Sequence, residues 1–199
     1  MRGRYMLLGL LVLLQFGVPL RMIQQRENVL QAGTLFLFKT QPIDPVDPFQ
    51  GRYVRLRMEQ DFTAIPEYQA TQVEYNSPGY TSIDIDRDGF AYFSDWAEVA
   101  PVTGDFLISR ARGKRYDFTT SDDASARKRI YKGLQIEIPF TRFYMDEAKA
   151  PRAERLAGEA NRAGESDCWV AVRVLDGQAI IEDVFIAGES LRDLARASK

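Results

Sequence analysis

The sequence predicts an α+β protein: an N-terminal transmembrane helix followed by a β-rich, mostly antiparallel domain with one inserted helix. Three observations predict it. Residues 5–23 are predominantly apolar on every side, interrupted by Gln15, Pro19 and Arg21. Beyond Gly33, short runs of β-branched and aromatic residues alternate with polar ones between Gly, Pro, Asn and Asp clusters, the pattern of strands joined by tight turns. Only residues 146–163 have the Ala-, Arg- and Glu-rich composition of a later helix, with Pro151 suited to its first turn. The chain of 199 residues therefore divides into a membrane anchor with stalk helix, 1–33, and one β-rich domain, 34–199.

The anchor comes first. A helix over residues 5–23 spans about 28 Å, close to the thickness of a hydrocarbon core. Arg2 and Arg4 precede it on a very short tail, which favours a single-pass, N-in signal-anchor with the C-terminal domain outside the cytoplasm. No small-x-small cleavage site follows the run at the right distance, so a retained anchor is favoured over a cleaved signal. Ile23, Val29 and Leu30 continue at helical spacing, and the helix is expected to end at Gly33.

Thr34 to Phe38 is apolar on both faces, which places it centrally in a sheet. Thr40 to Met58 contains tandem Asp44-Pro45 and Asp47-Pro48 pairs and reads as a stiff, extended connector, with Gly51 allowing a bend into a strand. In that strand Val54, Leu56 and Met58 alternate with Tyr53, Arg55 and Arg57, giving one buried and one wet, basic face. Residues 61–67 read as loop, 68–75 fit a strand or a short helix, and Asn76-Ser77-Pro78-Gly79 is a turn. Residues 80–86 and 90–96 form a hairpin across Arg87-Asp88-Gly89. Residues 105–112 form a strand, with a second hairpin through Gly113-Lys114 into 115–118, and the polar stretch 119–129 is a surface loop. Residues 134–144 are a strand in which Pro139 demands an edge, a bulge or a break. Residues 169–175 and 179–186 close the chain as a hairpin across Asp176-Gly177, before a short tail with helical character.

Composition removes several chemistries. Without any His, the chain has no imidazole acid–base group and lacks the usual hydrolase triad and most zinc sites. Its one Cys, Cys168, forms no intramolecular disulfide and reads as a small buried apolar residue. A net charge of −2 suggests no nucleic-acid surface. The basic clusters 110–115 and 127–132 read as solvated strand faces and loops. Asp84-x-Asp86-x-Asp88-Gly89 with Asp95 matches the start of a calcium loop, but the strand-like flanks point to a plain Asp-Gly hairpin. No Ser lies between Asn28 and Asp61, where a membrane-proximal Ser–Lys peptidase would carry its nucleophile. No metal or cofactor is implied.

The residues Gly51-Arg52-Tyr53-Val54-Arg55-Leu56-Arg57-Met58, preceded by Pro-Ile-Asp-Pro-Val-Asp-Pro-Phe, resemble the signature of the GDYXXLXY-motif proteins. Gly51, Tyr53 and Leu56 match; Arg52 stands where the pattern has Asp, and Met58 where it has a second Tyr. Residues 138–147, an aromatic-rich strand running into an acidic turn, resemble a second block of that family. The resemblance covers nearly the whole chain. It implies a bacterial envelope protein anchored in the inner membrane, with an extracytoplasmic (periplasmic) domain of no established activity. It also implies a neighbouring multi-pass membrane protein as partner.

Candidate binding residues follow from two patterns. The wet face of the strand, Tyr53, Arg55 and Arg57, could be a docking surface next to the membrane, because Arg and Tyr are enriched where interfaces carry energy, or its Arg stems could simply cover the sheet with their heads in water. The carboxylates Asp44 and Asp47 on the connector and Asp146 and Glu147 in the acidic turn could instead bind a small molecule or glycan, or support weak hydrolysis. Asp before Pro and Asp at a helix start also have structural roles, as turn initiator and cap. With no catalytic constellation in the chain, the leading expectation is a non-enzymatic accessory or interaction module, and the carboxylate site is the alternative.

Overall fold

A computed structural model describes residues 2–44, 53–120, 127–144, 168–186 and 188–194, with the side chains of 2–4, 6–10, 12–13, 41–44, 53–55, 119–120, 127–128, 144 and 194 left out of the description. In chain order its elements are α1 (Arg2–Ala32), β1 (Thr34–Asp44), β2 (Tyr53–Met58), β3 (Phe62–Thr63), α2 (Glu67–Gln72), β4 (Pro78–Ile85), β5 (Ala91–Ala97), β6 (Phe106–Thr120), β7 (Arg127–Glu137), β8 (Arg142–Tyr144), β9 (Cys168–Leu175), β10 (Gln178–Ile186), β11 (Glu189–Ser190) and α3 (Leu191–Leu194). They build two sheets, ordered β11-β10-β9-β1-β2-β8 and β3-β7-β6-β4-β5, whose ladders are antiparallel throughout.

The core lies between these sheets. Period-2 alternation turns Phe36, Phe38 and Thr40 of β1 inward, together with Val170, Val172 and Val174 of β9. Phe93, Leu107, Ala111, Leu134 and Ile136 meet them from the second sheet. Phe38 stacks on Phe93 at 5.2 Å and tilts against Phe140 at 5.3 Å, so one ring joins both sheets. Such pairs add about 0.5–1.5 kcal/mol beyond the area they bury. Pro139 breaks the strand reading of 134–144 in two: β7 stays in the second sheet, and β8 pairs with β2 in the first.

Two hairpins follow from Asp-Gly chemistry. Asp176 and Gly177 both adopt positive φ (49° and 78°) between β9 and β10, as a two-residue turn of matching twist requires. Between β4 and β5, Asp86 Oδ1 accepts hydrogen bonds from the backbone N–H of Asp88 and of Phe90, both at 2.9 Å. The Asp triplet is thus a turn that satisfies its own backbone, and among the described residues no group of carboxylates or thiols is arranged to hold a metal ion.

α1 is a single helix of 31 residues containing Pro19. Among its described side chains burial is confined to its end, where Val29 is buried and Gly33 N–H bonds to Val29 O at 2.9 Å. A Cβ on Gly33 would lie 2.4 Å from Val29 O and 3.0 Å from Val174 O, so glycine is what lets the helix stop against β9. Arg173 holds this junction, donating to Gly33 O at 3.1 Å and to Glu182 at 2.6 Å. Among the described residues no helix is long and apolar enough to cross a membrane, and the transmembrane reading of 5–23 has no support there. Side chains 6–10, 12 and 13 of that run lie outside the description.

Several expectations are corrected. Residues 40–44 are strand, not connector: β1 continues through Pro42 with a register irregularity between Gln41 and Asp44. Because β1 and β2 pair with each other, residues 45–52 join two neighbouring strands of one sheet. The ambiguous stretch 68–75 contributes to a short helix, α2. Gly113 is no turn; at φ +103° it forms a β-bulge within one 15-residue strand, β6. The supposed loop 119–129 is largely strand, paired Phe118 to Arg129 and Thr120 to Arg127, and only 121–126 lie outside the described residues. The helix expected over 146–163 also lies outside them.

Candidate functional site

β6 and β7 are longer than the sheet that holds them. β4 pairs with β6 only from Phe106 to Arg110, and β3 pairs with β7 only at Leu134 and Gln135. Beyond these points β6 and β7 pair with each other alone, as a two-stranded ribbon. Bulges at Ala111/Gly113 and Arg115/Tyr116 increase its local twist. This ribbon brings together the two basic clusters that lie apart in sequence. From Arg110 to Thr120 and from Arg127 to Lys132 the strands hold eight Lys and Arg and one acidic residue, Asp117.

Cross-strand register sorts the side chains onto two faces. On one, Tyr116 and Tyr131 meet edge to face at 5.8 Å, and the Arg129 guanidinium lies 4.3 Å over the Tyr116 ring. The residues around α2 anchor this ladder: Tyr116 OH donates to Glu67 at 2.8 Å, Lys114 Nζ lies 3.7 Å from Glu67, and Tyr131 OH donates to Ile65 O at 2.9 Å. Towards the tip, Phe118 is 63% exposed. On the other face, Asp117 lies between Lys132 (3.6 Å) and Arg115 (3.9 Å), and Asp61 reaches Arg115 at 3.6 Å while accepting from Gln135 at 2.9 Å. A shallow, open depression of about 610 Å³ is lined from both faces of the ribbon, by Arg115, Tyr116, Asp117, Phe118, Ile130 and Lys132. Nearer the sheet, Arg112 donates to Glu137 at 2.6 Å and to Asn76 Oδ1 at 3.1 Å.

The electrostatics favour binding over proton transfer. The hydrogen bond to Glu67 holds Tyr116 above its ordinary value, and burial followed by the Glu67 charge does the same for Tyr131. Both phenols therefore stay protonated at neutral pH and cannot serve as bases there. The hydrogen bond with Tyr75, followed by the Glu137 charge among the favourable contacts, raises Arg112, which remains a fixed cation. The ribbon has cations, aromatic faces and one bridging carboxylate, but no pair of carboxylates and no activated nucleophile among its described side chains.

The residues singled out in the sequence lie elsewhere. Arg57 is exposed on β2, opposite Gln41, while its neighbours Leu56 and Met58 are buried. Arg55 sits at the register position opposite Asp44, and Tyr53 opposite Tyr144. This end of β1 is seven to ten residues from Thr34, or roughly 23–33 Å along the strand, so the Arg55 and Arg57 positions are not beside the α1 junction. Asp47, Asp146 and Glu147 lie outside the described residues. The Asp44 side chain is likewise outside the description, and only its backbone register with Arg55 is seen.

A family profile for GDYXXLXY proteins matches residues 15–184. The chain belongs to the GDYXXLXY family. No curated protein and no solved structure was found to match it. In this GDYXXLXY protein residues 53–58 of the motif form β2, between β1 and β8, and the motif leucine, Leu56, is 2% exposed inside the sandwich. That position of the motif serves the core. Sequence reasoning missed the ribbon, although the signal was present as two basic clusters at mutually pairable distances, each interleaved with Tyr, Phe or Ile.

Proposed function

We propose that this GDYXXLXY protein is a membrane-anchored, extracytoplasmic interaction module, accessory to a multi-pass membrane protein. The observation that carries the reading is α1. Every described side chain from Tyr5 to Asn28 is exposed, including the large apolar Tyr5, Leu11, Leu14, Phe16, Val18, Leu20, Met22 and Ile23. Leaving water favours each by about 1.5–3 kcal/mol, more than about 10 kcal/mol together, against about 2.5–3.5 kcal/mol for burying one Arg at mid-bilayer. These exposed apolar side chains are what favours burying α1 in lipid. Arg2 and Arg4 before it favour the orientation that leaves the sandwich outside the cytoplasm. A sandwich with a charged, aromatic ribbon and no paired catalytic groups among its described residues suits recognition.

The test is affinity purification of the full chain from native membranes in mild detergent, beside a form lacking residues 2–23. That deletion keeps Val29 and the Gly33 junction. A stoichiometric multi-pass membrane protein retained by the full chain supports the reading. A full chain that purifies alone, without such a partner, contradicts the accessory role.

A further inference from the structure

We infer that the β6–β7 ribbon is the docking element of this interaction module, and that it takes an extended, acidic segment of a partner polypeptide as an added strand. The inference rests on the interaction reading above and specifies its surface and the partner's chemistry.

Three observations converge on it. The first is backbone supply. From Arg112 to Thr120 the side of β6 facing away from β7 has no strand beside it among the described residues, and neither has β7 from Arg127 to Lys132. A strand edge presents both N–H donors and C=O acceptors. A phosphate surface offers acceptors only, whereas an extended peptide satisfies both sets through a ladder. The second is charge. The carboxylates near the ribbon engage Arg112, Lys114, Arg115 and Lys132, while Arg110 and Arg129 have no carboxylate within ion-pair distance among the described residues. The excess is positive, and its complement is an acidic strand. The third is an exposed apolar side chain on each face of the ribbon, Phe118 at 63% opposite Arg129 and Ile130 at 39% opposite Asp117, beside those cations. Lysine and arginine alone would protect an open edge from aggregation. An exposed Phe beside them works against protection and suits a strand that alternates acidic and apolar side chains.

The ribbon also has reach. Thr34 Oγ1 donates to Asp105 at 3.3 Å, so β6 begins next to the end of α1. Its far end lies up to about 45 Å away at 3.3 Å per residue. A partner segment can therefore engage the tip without contacting the anchor.

The probe is a fluorescently labelled peptide of alternating Glu and Val, ten residues long, titrated against the full chain in non-ionic detergent and read by anisotropy. Saturable binding is expected, weakened at least about tenfold by the double substitution Phe118→Asp with Arg129→Glu, both exposed positions. The substitution Arg87→Glu, at an exposed position on the β4–β5 turn, should leave it unchanged. Far-UV circular dichroism and the melting midpoint of the double variant establish that it folds. Independently of any variant, a peptide N-methylated at alternate residues keeps its charge and loses its ladder donors, and should also bind at least about tenfold more weakly. Equal binding of both peptides reduces the interaction to charge and overturns the inference, as does absence of binding. Displacement by phosphatidylglycerol vesicles but not by phosphatidylcholine vesicles assigns the ribbon to an anionic bilayer and also overturns it. Ribbon-dependent self-association in the ultracentrifuge assigns it to a second copy, with the same consequence. Retained, ladder-dependent binding by a chain that does not hold to membranes defeats the anchor reading while supporting this one.

Discussion

Replacing the motif leucine separates architecture from recognition in the GDYXXLXY signature. Leu56 is 2% exposed, in the core cluster that includes Met58, Phe38 and Phe143. Its backbone N–H bonds to Thr141 O at 2.9 Å, and a substitution leaves that bond in place. Leu56→Ala therefore removes side-chain packing alone. Large-to-small changes at fully buried leucines cost about 2–5 kcal/mol, the loss of transfer energy plus an unfilled cavity. A figure near 3 kcal/mol, with about 2–4 °C per kcal/mol for a domain of this size, lowers the melting midpoint by roughly 6–12 °C. Arg57, one residue on and exposed, supplies the control: Arg57→Ala should change stability by less than about 0.5 kcal/mol. Urea denaturation of the full chain in non-ionic detergent, followed by tryptophan fluorescence, reads both. The reasoning is refuted if Leu56→Ala costs less than about 1 kcal/mol, or if Arg57→Ala costs as much as Leu56→Ala.

Two further predictions concern the ribbon and its base. Tyr116 and Tyr131 are held above their ordinary value. Their contribution to stability is therefore fully present below the unfolded value near pH 10, and is lost as pH rises through the folded value. Urea midpoints measured between about pH 9 and 12 should fall with a slope that Tyr116→Phe reduces; identical slopes in both proteins would exclude the Glu67 hydrogen bond as the cause. Gly133 has φ +155°, and a Cβ there would lie 1.9 Å from Thr63 O. Gly133→Ala should cost more than about 2 kcal/mol and accelerate amide exchange at Phe62 and Thr63, where β3 meets β7. Unchanged exchange would show that β3 adapts to the side chain.

The sequence revealed structure wherever one face of a strand is buried. Val170, Val172 and Val174 alternate because β9 has a dry side, and Asp176-Gly177 marks its turn because both residues need positive φ. The ribbon was hidden for the same reason. Among its described apolar side chains Tyr131 packs against the core while Phe118 and Ile130 are exposed, and Thr119 and Arg127 to Arg129 show no apolar period in the sequence and resemble a loop. Gly113 misled because a bulge and a turn use the same residue type. The Pro-rich stretch looked like a linker between anchor and domain, whereas its first residues pair with β2 through a register irregularity at Pro42. Nothing local to residues 40–44 encodes that partner. Of the predicted binding residues, Arg57 has the wet exposure that alternation implied, while its distance from α1 depends on strand register and was not legible.

The most direct measurement is alkaline carbonate extraction of membranes containing the full chain or the form lacking residues 2–23. Exposed apolar side chains along α1 predict that the full chain stays in the pellet and the shortened form is released. Release of the full chain together with the shortened form would contradict membrane anchoring by α1.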